Sequence, residues 1–393
     1  MNILITVHTY YPKRDGVQFV TKYLAEGLAQ KGHKVQIITY DYNGKIKPSQ
    51  EVHNGVNILR WNAYTSHTYH YGDKTGYQQY ILDHQSEYDV MVNVGTQTAL
   101  TDWLYPIFDK IKIPKLLYIH SIWDFHIYDS DRRSIGSFLA KLWANIRWGI
   151  YYKTKGNIFR QYDIVTQLHE HDWTYAFFKD RYGIESRVIE NAADDIFFER
   201  QIDDSKSESR YIINVANYNE RKNQKECLTL FYESDVPDDW KMVLVGSEKN
   251  GYYNDLVTLN NQMRQLYGLK DGQKEVSLLC AIERSKVCEL VKNASLYLMT
   301  STWEAFPISL TESMAAGVPF ISSDVGIVKW LPGGITASSH TDLLSQLNRF
   351  GTDENLRQQY GLAGHAFAVE HLSKHAKVDQ LESYLLEIKN KKG

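Results

Sequence analysis

Short apolar runs alternate with helix-period stretches along this 393-residue chain, and the alternation breaks once and then restarts. Residues 3–7 read as a strand. Phe19, Val20, Tyr23, Leu24 and Leu28 share one face of a helix over 17–31, and Gly32 stops it. Residues 35–39 form the next strand. A strand, a helix and a strand this close favour a parallel βαβ unit. Further strands are expected at 56–61, 89–94, 115–120, 163–167 and 187–190. The stretch 199–210, ERQIDDSKSESR, is charged and serine-rich with one strongly apolar residue, as in a linker or surface turn. Beyond it, strands at 211–216, 241–246, 276–280, 296–300 and 318–322 alternate with helices. The chain ends in an amphipathic helix pair with a basic tail. The pattern predicts an α/β protein of two Rossmann-like, doubly wound domains, 1–195 and 205–373, facing across a cleft. The last helix, about 374–393, is expected to pack back on the first domain. Ligands of open α/β sheets bind where the strands' carboxyl ends meet, because loops and helix N-termini converge there.

Composition narrows the function classes. The chain is 43% apolar and 23% charged, and its net charge of −3 provides no global field for nucleic acid or membrane. Cys227, Cys280 and Cys288 are odd in number and lack metal-site spacing, which fits a reducing compartment better than a disulfide framework. The opening MNILITVHTYY has no basic region and no long apolar run, so no signal peptide is expected and the expected location is the cytoplasm. No stretch reaches the roughly 18 continuous apolar residues of a membrane span.

The stretch STWEAFPISLTESMAAGVPFISSD, 301–324, places Glu304 in a loop after a strand and Glu312 inside a helix that is apolar or small nearly all round. Pro307 stands where that helix begins, and Gly317 closes it. A carboxylate on such a helix is costly unless donors meet it. For Glu312 these are either a neighbouring amide or basic side chain, or a pair of ligand hydroxyls. Glu304 either caps the helix N-terminus or lies beside a ligand held there.

Glu304, seven residues, Glu312 and the following SMAAGVPFISSDVG resemble the E-x7-E signature of family 4 of the retaining glycosyltransferases, which have the GT-B fold. The resemblance implies that Glu304 lies against the donor sugar and Glu312 binds the nucleotide ribose. It also implies that the backbone of Ala305, Phe306 and Pro307 meets sugar hydroxyls and phosphate. TYYPKRDGVQFVTKYLAEGLAQKGHKV is similar to the family's opening loop and helix. There Gly16 lets the backbone approach the donor phosphates, and Val17 replaces the usual second glycine. In IINVANYNERKNQKECLTLF, Lys222 matches the family's phosphate-binding lysine. Asn217 stands at the arginine position, and Arg221 is the neighbouring charge that could replace it. LLYIHSIWDFH ends in the region where the family often places a histidine, His120. Such a residue reads equally as a satisfied strand-end histidine or as a sugar contact. Gly246 and Ile282 match two further loops of the donor site, the second being where the base is held. Asn191-Ala192-Ala193-Asp194 resembles the family's Asn-Gly-x-Asp without its glycine, and is taken as a hinge.

The resemblance implies a retaining glycosyltransferase that moves a sugar from a nucleotide-diphosphate donor, UDP-sugar favoured, to a hydroxyl of a glycan, lipid-linked or protein acceptor. No cofactor is implied and no metal is expected. Asp129-Ser130-Asp131 has the D-x-D form of a different glycosyltransferase fold, but it sits in a polar turn. A nucleotide-sugar epimerase or hydrolase on the same fold is the alternative, as is a non-catalytic relative that binds nucleotide sugar. Residues 132–160 carry seven basic residues and no acidic one, with Phe138, Leu139, Leu142, Trp143, Ile146 and Ile150 on one helical face. The expectation is a domain helix that buries this face. The second reading is peripheral contact with an anionic membrane surface.

Overall fold

The computed structural model describes residues 1–13, 15–40, 49–66, 68–199 and 210–392, with backbone only for Asp129, Ser130 and Lys392. The expected linker 199–210 therefore lies, from 200 to 209, outside the described residues. The chain divides into two compact units: Met1–Glu190 with His375–Gly393, and Asn191–Lys374.

In the first unit the sheet runs, in spatial order, Arg187–Val188, Ile164–Gln167, Lys115–Tyr118, Val90–Val94, Asn2–Thr6, Lys34–Thr39, Val56–Arg60 and Ser49–His53. All neighbours are parallel except the last pair. Val90–Val94 is buried at every residue, as expected of a parallel strand covered on both faces. The direction of winding reverses beside Asn2–Thr6, so His8 and the start of helix Gly16–Gln30 lie at the crevice edge. The antiparallel edge Ser49–His53 was not expected. Its turn is Asn54-Gly55, both left-handed at φ 48° and 79°, the usual pair for a two-residue hairpin. A separate hairpin, Ala63–Ser66 with Tyr69–Gly72, was also not expected.

The closing helix Lys374–Lys392 lies on this unit. A Cβ on Gly27 would come within 2.5 Å of Val378, so only glycine lets the two helices approach this closely. Lys377 pairs with Glu190 at 2.9 Å and Lys31 with Asp379 at 2.6 Å. Leu381, Leu385 and Ile388 are buried beneath them.

Helix Ile135–Phe159 corrects the sequence expectation. Its buried residues are Ala144, Trp148, Tyr152, Gly156 and Phe159. Most of the face expected to be buried is turned to solvent: Leu139 is 56% exposed, Leu142 39%, Trp143 55%, Ile146 49% and Ile150 59%, while Phe138 is half-buried. The aromatic face packs inward because its polar ends find partners there. Tyr152 Oη lies 2.8 Å from Thr96 Oγ1, and Tyr151 Oη donates to Asp102 at 2.7 Å.

In the second unit the sheet order is Val276–Cys280, Lys241–Gly246, Tyr211–Val215, Leu296–Met299, Phe320–Ser323 and Gly334–Ala337, all parallel. Trp240, Phe231, Leu244, Leu298 and Leu347 lie in its core. The edge strand Gly334–Ala337 escaped the sequence reading because it is short and follows paired glycines. A Cβ on Gly334 would come within 2.3 Å of the Phe320 ring. The winding reverses between Tyr211–Val215 and Leu296–Met299, so the loops after these two strands are neighbours.

Candidate functional site

Those two loops carry Lys222 and Glu304. The amide of Thr302 donates to Arg221 O at 2.8 Å, which ties one loop to the other. The Glu304 carboxylate accepts from Lys222 Nζ, with the two side chains only 8% and 18% exposed. Glu304 therefore does not cap the following helix. That helix runs Ile308–Ala315, and its cap residue is Pro307, one position earlier than proline's favoured place, with no side chain closing it. The N-terminal turn of a helix has backbone N–H groups that no carbonyl of the helix takes, and here that turn follows Ala305 and Phe306.

The loop is fixed from outside. Asn191 Nδ2 donates to Phe306 O at 2.8 Å, and Ile327 N to Ala305 O at 3.3 Å. Gly326 sits at φ 55°, and a Cβ there would stand 2.3 Å from Glu304 O. Gly326→Ala is expected to destabilise this unit by about 2 kcal/mol and to displace Glu304. Thermal unfolding with and without nucleotide measures both effects, and an unchanged midpoint would show that the loop yields freely.

Glu312 projects from the same helix and is almost fully enclosed. Its carboxylate accepts from Arg284, at the start of helix Arg284–Lys292. Arg284 Nε also lies 3.6 Å from Asp194, whose other oxygen takes Lys374 Nζ at 2.8 Å. Burial pushes the Glu312 carboxyl up to about 7, against the opposing pull of Arg284. Burial also opposes ionisation of Asp194, but Lys374 and Arg284 hold that carboxyl below its usual range. The donor that Glu312 requires is thus a basic side chain in the ligand-free protein. Asp194, read from sequence as hinge, belongs to this charged cluster.

The other candidate residues of this unit are placed as follows. Arg221 is exposed, its guanidinium 5.3 Å above the Trp303 ring, and Asn217 is exposed in the same loop. Gly246 is required by packing: a Cβ there would come within 2.3 Å of the Tyr218 ring, which is anchored by Oη on Leu244 O at 2.8 Å. Ile282 follows Ala281, a non-glycine held at φ 52° in the tight turn after Val276–Cys280.

In the first unit His120 follows strand Lys115–Tyr118, its ring tilted at 33° to that of Tyr118 with centroids 4.6 Å apart. Burial first, then neighbouring His8, pushes its imidazole down to about 3, with Asp15 opposing. It is neutral at physiological pH. Among the described residues, His120 Nε2 and His8 Nδ1 are buried without a hydrogen-bond partner. Gly16 is the first residue of helix Gly16–Gln30. Asp15 caps that helix, accepting from Gln18 N at 2.9 Å and from Thr9 Oγ1 at 2.7 Å. Among the described residues no group of three His, Cys, Asp or Glu side chains is placed to hold a metal ion, and the side chains of Asp129 and Ser130 lie outside them.

Two family models match in succession: residues 14–195 match Glycosyltransferase Family 4, and residues 195–366 match Glycosyl transferases group 1. Together the two models span residues 14–366, and both describe glycosyltransferase domains. The N-acetyl-alpha-D-glucosaminyl L-malate synthase of Bacillus anthracis is 23% identical over 401 residues, covering 97% of this chain and 96% of that protein. The sucrose-phosphate synthase of Thermosynechococcus elongatus superposes with a TM-score of 0.74 at 15% identity, covering 98% of each chain. Anabaena HepE in complex with UDP superposes with a TM-score of 0.68 at 15% identity, covering 98% of this chain and all of that one. These structural likenesses carry the two-domain, GT-B fold.

In this glycosyltransferase the sequence reading found both glutamates and Lys222 but missed their surroundings. Arg284 is one of several basic residues on an exposed helix, and only its contact with Glu312 sets it apart. Asp194 had a signal in its Asn-x-x-Asp spacing with Asn191. Gly326 had none beyond being a glycine after Asp324-Val325.

Proposed function

We propose that this glycosyltransferase uses a UDP-sugar and transfers the sugar, with retention at its anomeric carbon, to an acceptor hydroxyl. The observation that carries the reading is the pairing of Glu304 with Lys222 at the mouth of the Ile308–Ala315 helix, with Glu312 enclosed one turn further on. Sugar, diphosphate and ribose follow one another in a nucleotide sugar. Glu304 is proposed to meet sugar hydroxyls together with the backbone of Ala305, Phe306 and Pro307. Lys222, with Arg221, takes the diphosphate, whose negative charge grows as the anomeric C–O bond breaks. The helix N-terminus adds further donors without having to reorganise. Glu312 accepts from the ribose hydroxyls.

In the reaction the bond from the anomeric carbon to the β-phosphate oxygen breaks, and the acceptor oxygen bonds to the same face of that carbon. The acceptor proton passes to the departing phosphate oxygen, so no protein base is required. Neutral His120 contributes an imidazole nitrogen to a hydroxyl rather than a charge. The complex of HepE with UDP and the names of the other similar proteins support this reading, but they are properties of those proteins.

Thermal shift with UDP, GDP and ADP tests the donor base. UDP at a hundred times its Kd is expected to add about 2.7 kcal/mol to the stability of the binding unit, with smaller shifts for the others. A larger shift with GDP would move the assignment to another base. Product analysis with a candidate acceptor then reports transfer and anomeric configuration. Free sugar or a changed sugar nucleotide without acceptor would favour a hydrolase or epimerase.

A further inference from the structure

The solvent-facing side of helix Ile135–Phe159 is apolar along most of its length, and among the described residues its side chains stay exposed. Ile135, Leu139, Trp143, Ile146 and Ile150 recur every three to four residues on one stripe, each about half exposed or more. Exposed apolar side chains scattered singly are ordinary, whereas a contiguous stripe marks a contact surface. The charges around the stripe identify the contact. Exposed Arg132 and Arg133 precede it, and exposed Lys153 and Arg160 close its far end. The sequence from 132 to 160 itself contains no carboxylate.

Beside Lys153 and Arg160 a cavity of about 360 Å³ is lined also by Arg181 and Tyr182, again with no carboxylate in its wall. Arg160 is set there by its bonds to Tyr182 O at 2.9 Å and Asn157 Oδ1 at 3.0 Å. On the helix's flank, Arg147 donates to Thr68 O at 2.9 Å and lies 3.9 Å over the Tyr69 ring. It thereby joins the stripe to hairpin Ala63–Ser66/Tyr69–Gly72, where Tyr64, Tyr69 and Tyr71 are exposed. Apolar side chains flanked by cations and by amphipathic aromatic rings match the layers of a lipid interface from acyl chain to headgroup.

We propose that this face docks the protein on an anionic lipid bilayer. The apolar stripe lies at the acyl boundary, and the Lys153–Arg160–Arg181 cavity receives a headgroup phosphate. Among the described residues no helix is long and apolar enough to cross a membrane, so the contact is lateral. The inference does not depend on the identity of the donor or acceptor.

Flotation of the full chain with phosphatidylcholine vesicles, with and without phosphatidylglycerol, tests it. Binding is expected to be at least about tenfold stronger on the anionic vesicles and to weaken with salt. Trp143→Ser with Ile146→Ser and Ile150→Ser should abolish most of it. Lys153→Glu with Arg181→Glu should remove the preference for anionic lipid. Unchanged thermal midpoints would show that both variants fold, since every position altered is exposed. Absent binding to anionic vesicles at low salt, or binding that the apolar changes leave intact, would overturn the proposal. Concentration-dependent dimerisation in sedimentation velocity, lost with the apolar changes, would assign the face to a second copy instead.

Discussion

Lys222→Ala is expected to lower kcat by about 10²- to 10³-fold while the protein stays folded. The magnitude is that of removing one pre-positioned group from developing charge in an enclosed site. Lys222 lies in the loop after Tyr211–Val215 and is held against the Glu304 loop by the Thr302–Arg221 backbone bond. In the ligand-free protein its charge is matched by Glu304. A bound diphosphate competes for the same ammonium and leaves Glu304 to the sugar. The variant removes a phosphate partner and also leaves a mostly buried carboxylate without its cation, so UDP affinity and the thermal midpoint both fall. Adding Glu304→Gln to Lys222→Ala separates the two effects. The midpoint should recover and kcat should not. If the double variant regains turnover, Lys222 is only a counter-ion for Glu304. Lys222→Arg should retain charge but not the compact geometry, and should fall between the wild type and Lys222→Ala.

The second large effect concerns the proton on Glu312. Burial raises this carboxyl from its ordinary 4.5 to about 7, with Arg284 pulling the other way. The folded protein therefore keeps a proton that the unfolded chain releases near 4.5. Between those values stability falls as pH rises, by about 3 kcal/mol at most from this group. Ribose binding has the opposite dependence, because only the ionised carboxylate accepts from two hydroxyls. UDP affinity is expected to weaken about fivefold from pH 7 to pH 6 as Glu312 takes up its proton. Titration calorimetry across this range should also show proton release on binding, and Glu312→Gln should flatten the profile. Arg284→Met removes the cation that favours ionisation and should move the midpoint above 7, weakening binding at neutral pH. A midpoint that does not move would mean that the carboxylate does not touch the nucleotide.

Most of the fold was legible because hydrophobic period is a local property. Apolar runs separated by helix-period stretches admit few arrangements, and the pattern restarts after the charged break near residue 200, whereas the two compact units divide at Glu190 and Asn191. The missed strands show the limit of that signal. Ser49–His53 is an exposed edge with little to bury, and Gly334–Ala337 is short. Asn54-Gly55 was a readable turn that the search for parallel units passed over.

The candidate site divides in the same way. Glu304, Glu312 and Lys222 stand out because a charge in or beside an apolar stretch needs a reason, and that reason can be asked of the sequence. Arg284, Asp194 and Gly326 answer it from elsewhere in the chain. Gly326 matters through a 2.3 Å approach to a backbone oxygen, which no local pattern encodes.

Helix Ile135–Phe159 marks the boundary most clearly. The sequence alone determined that it is a helix with an aliphatic face and an aromatic-basic face, since that follows from a period of 3.6 residues. It could not determine which face turns inward. Burial by area favours the aliphatic face, but Tyr151 and Tyr152 also carry hydroxyls that must be satisfied once buried. Thr96 and Asp102, fifty residues away in the chain, supply those partners. The neighbours that a helix packs against, and not its own period, decided which side was left exposed.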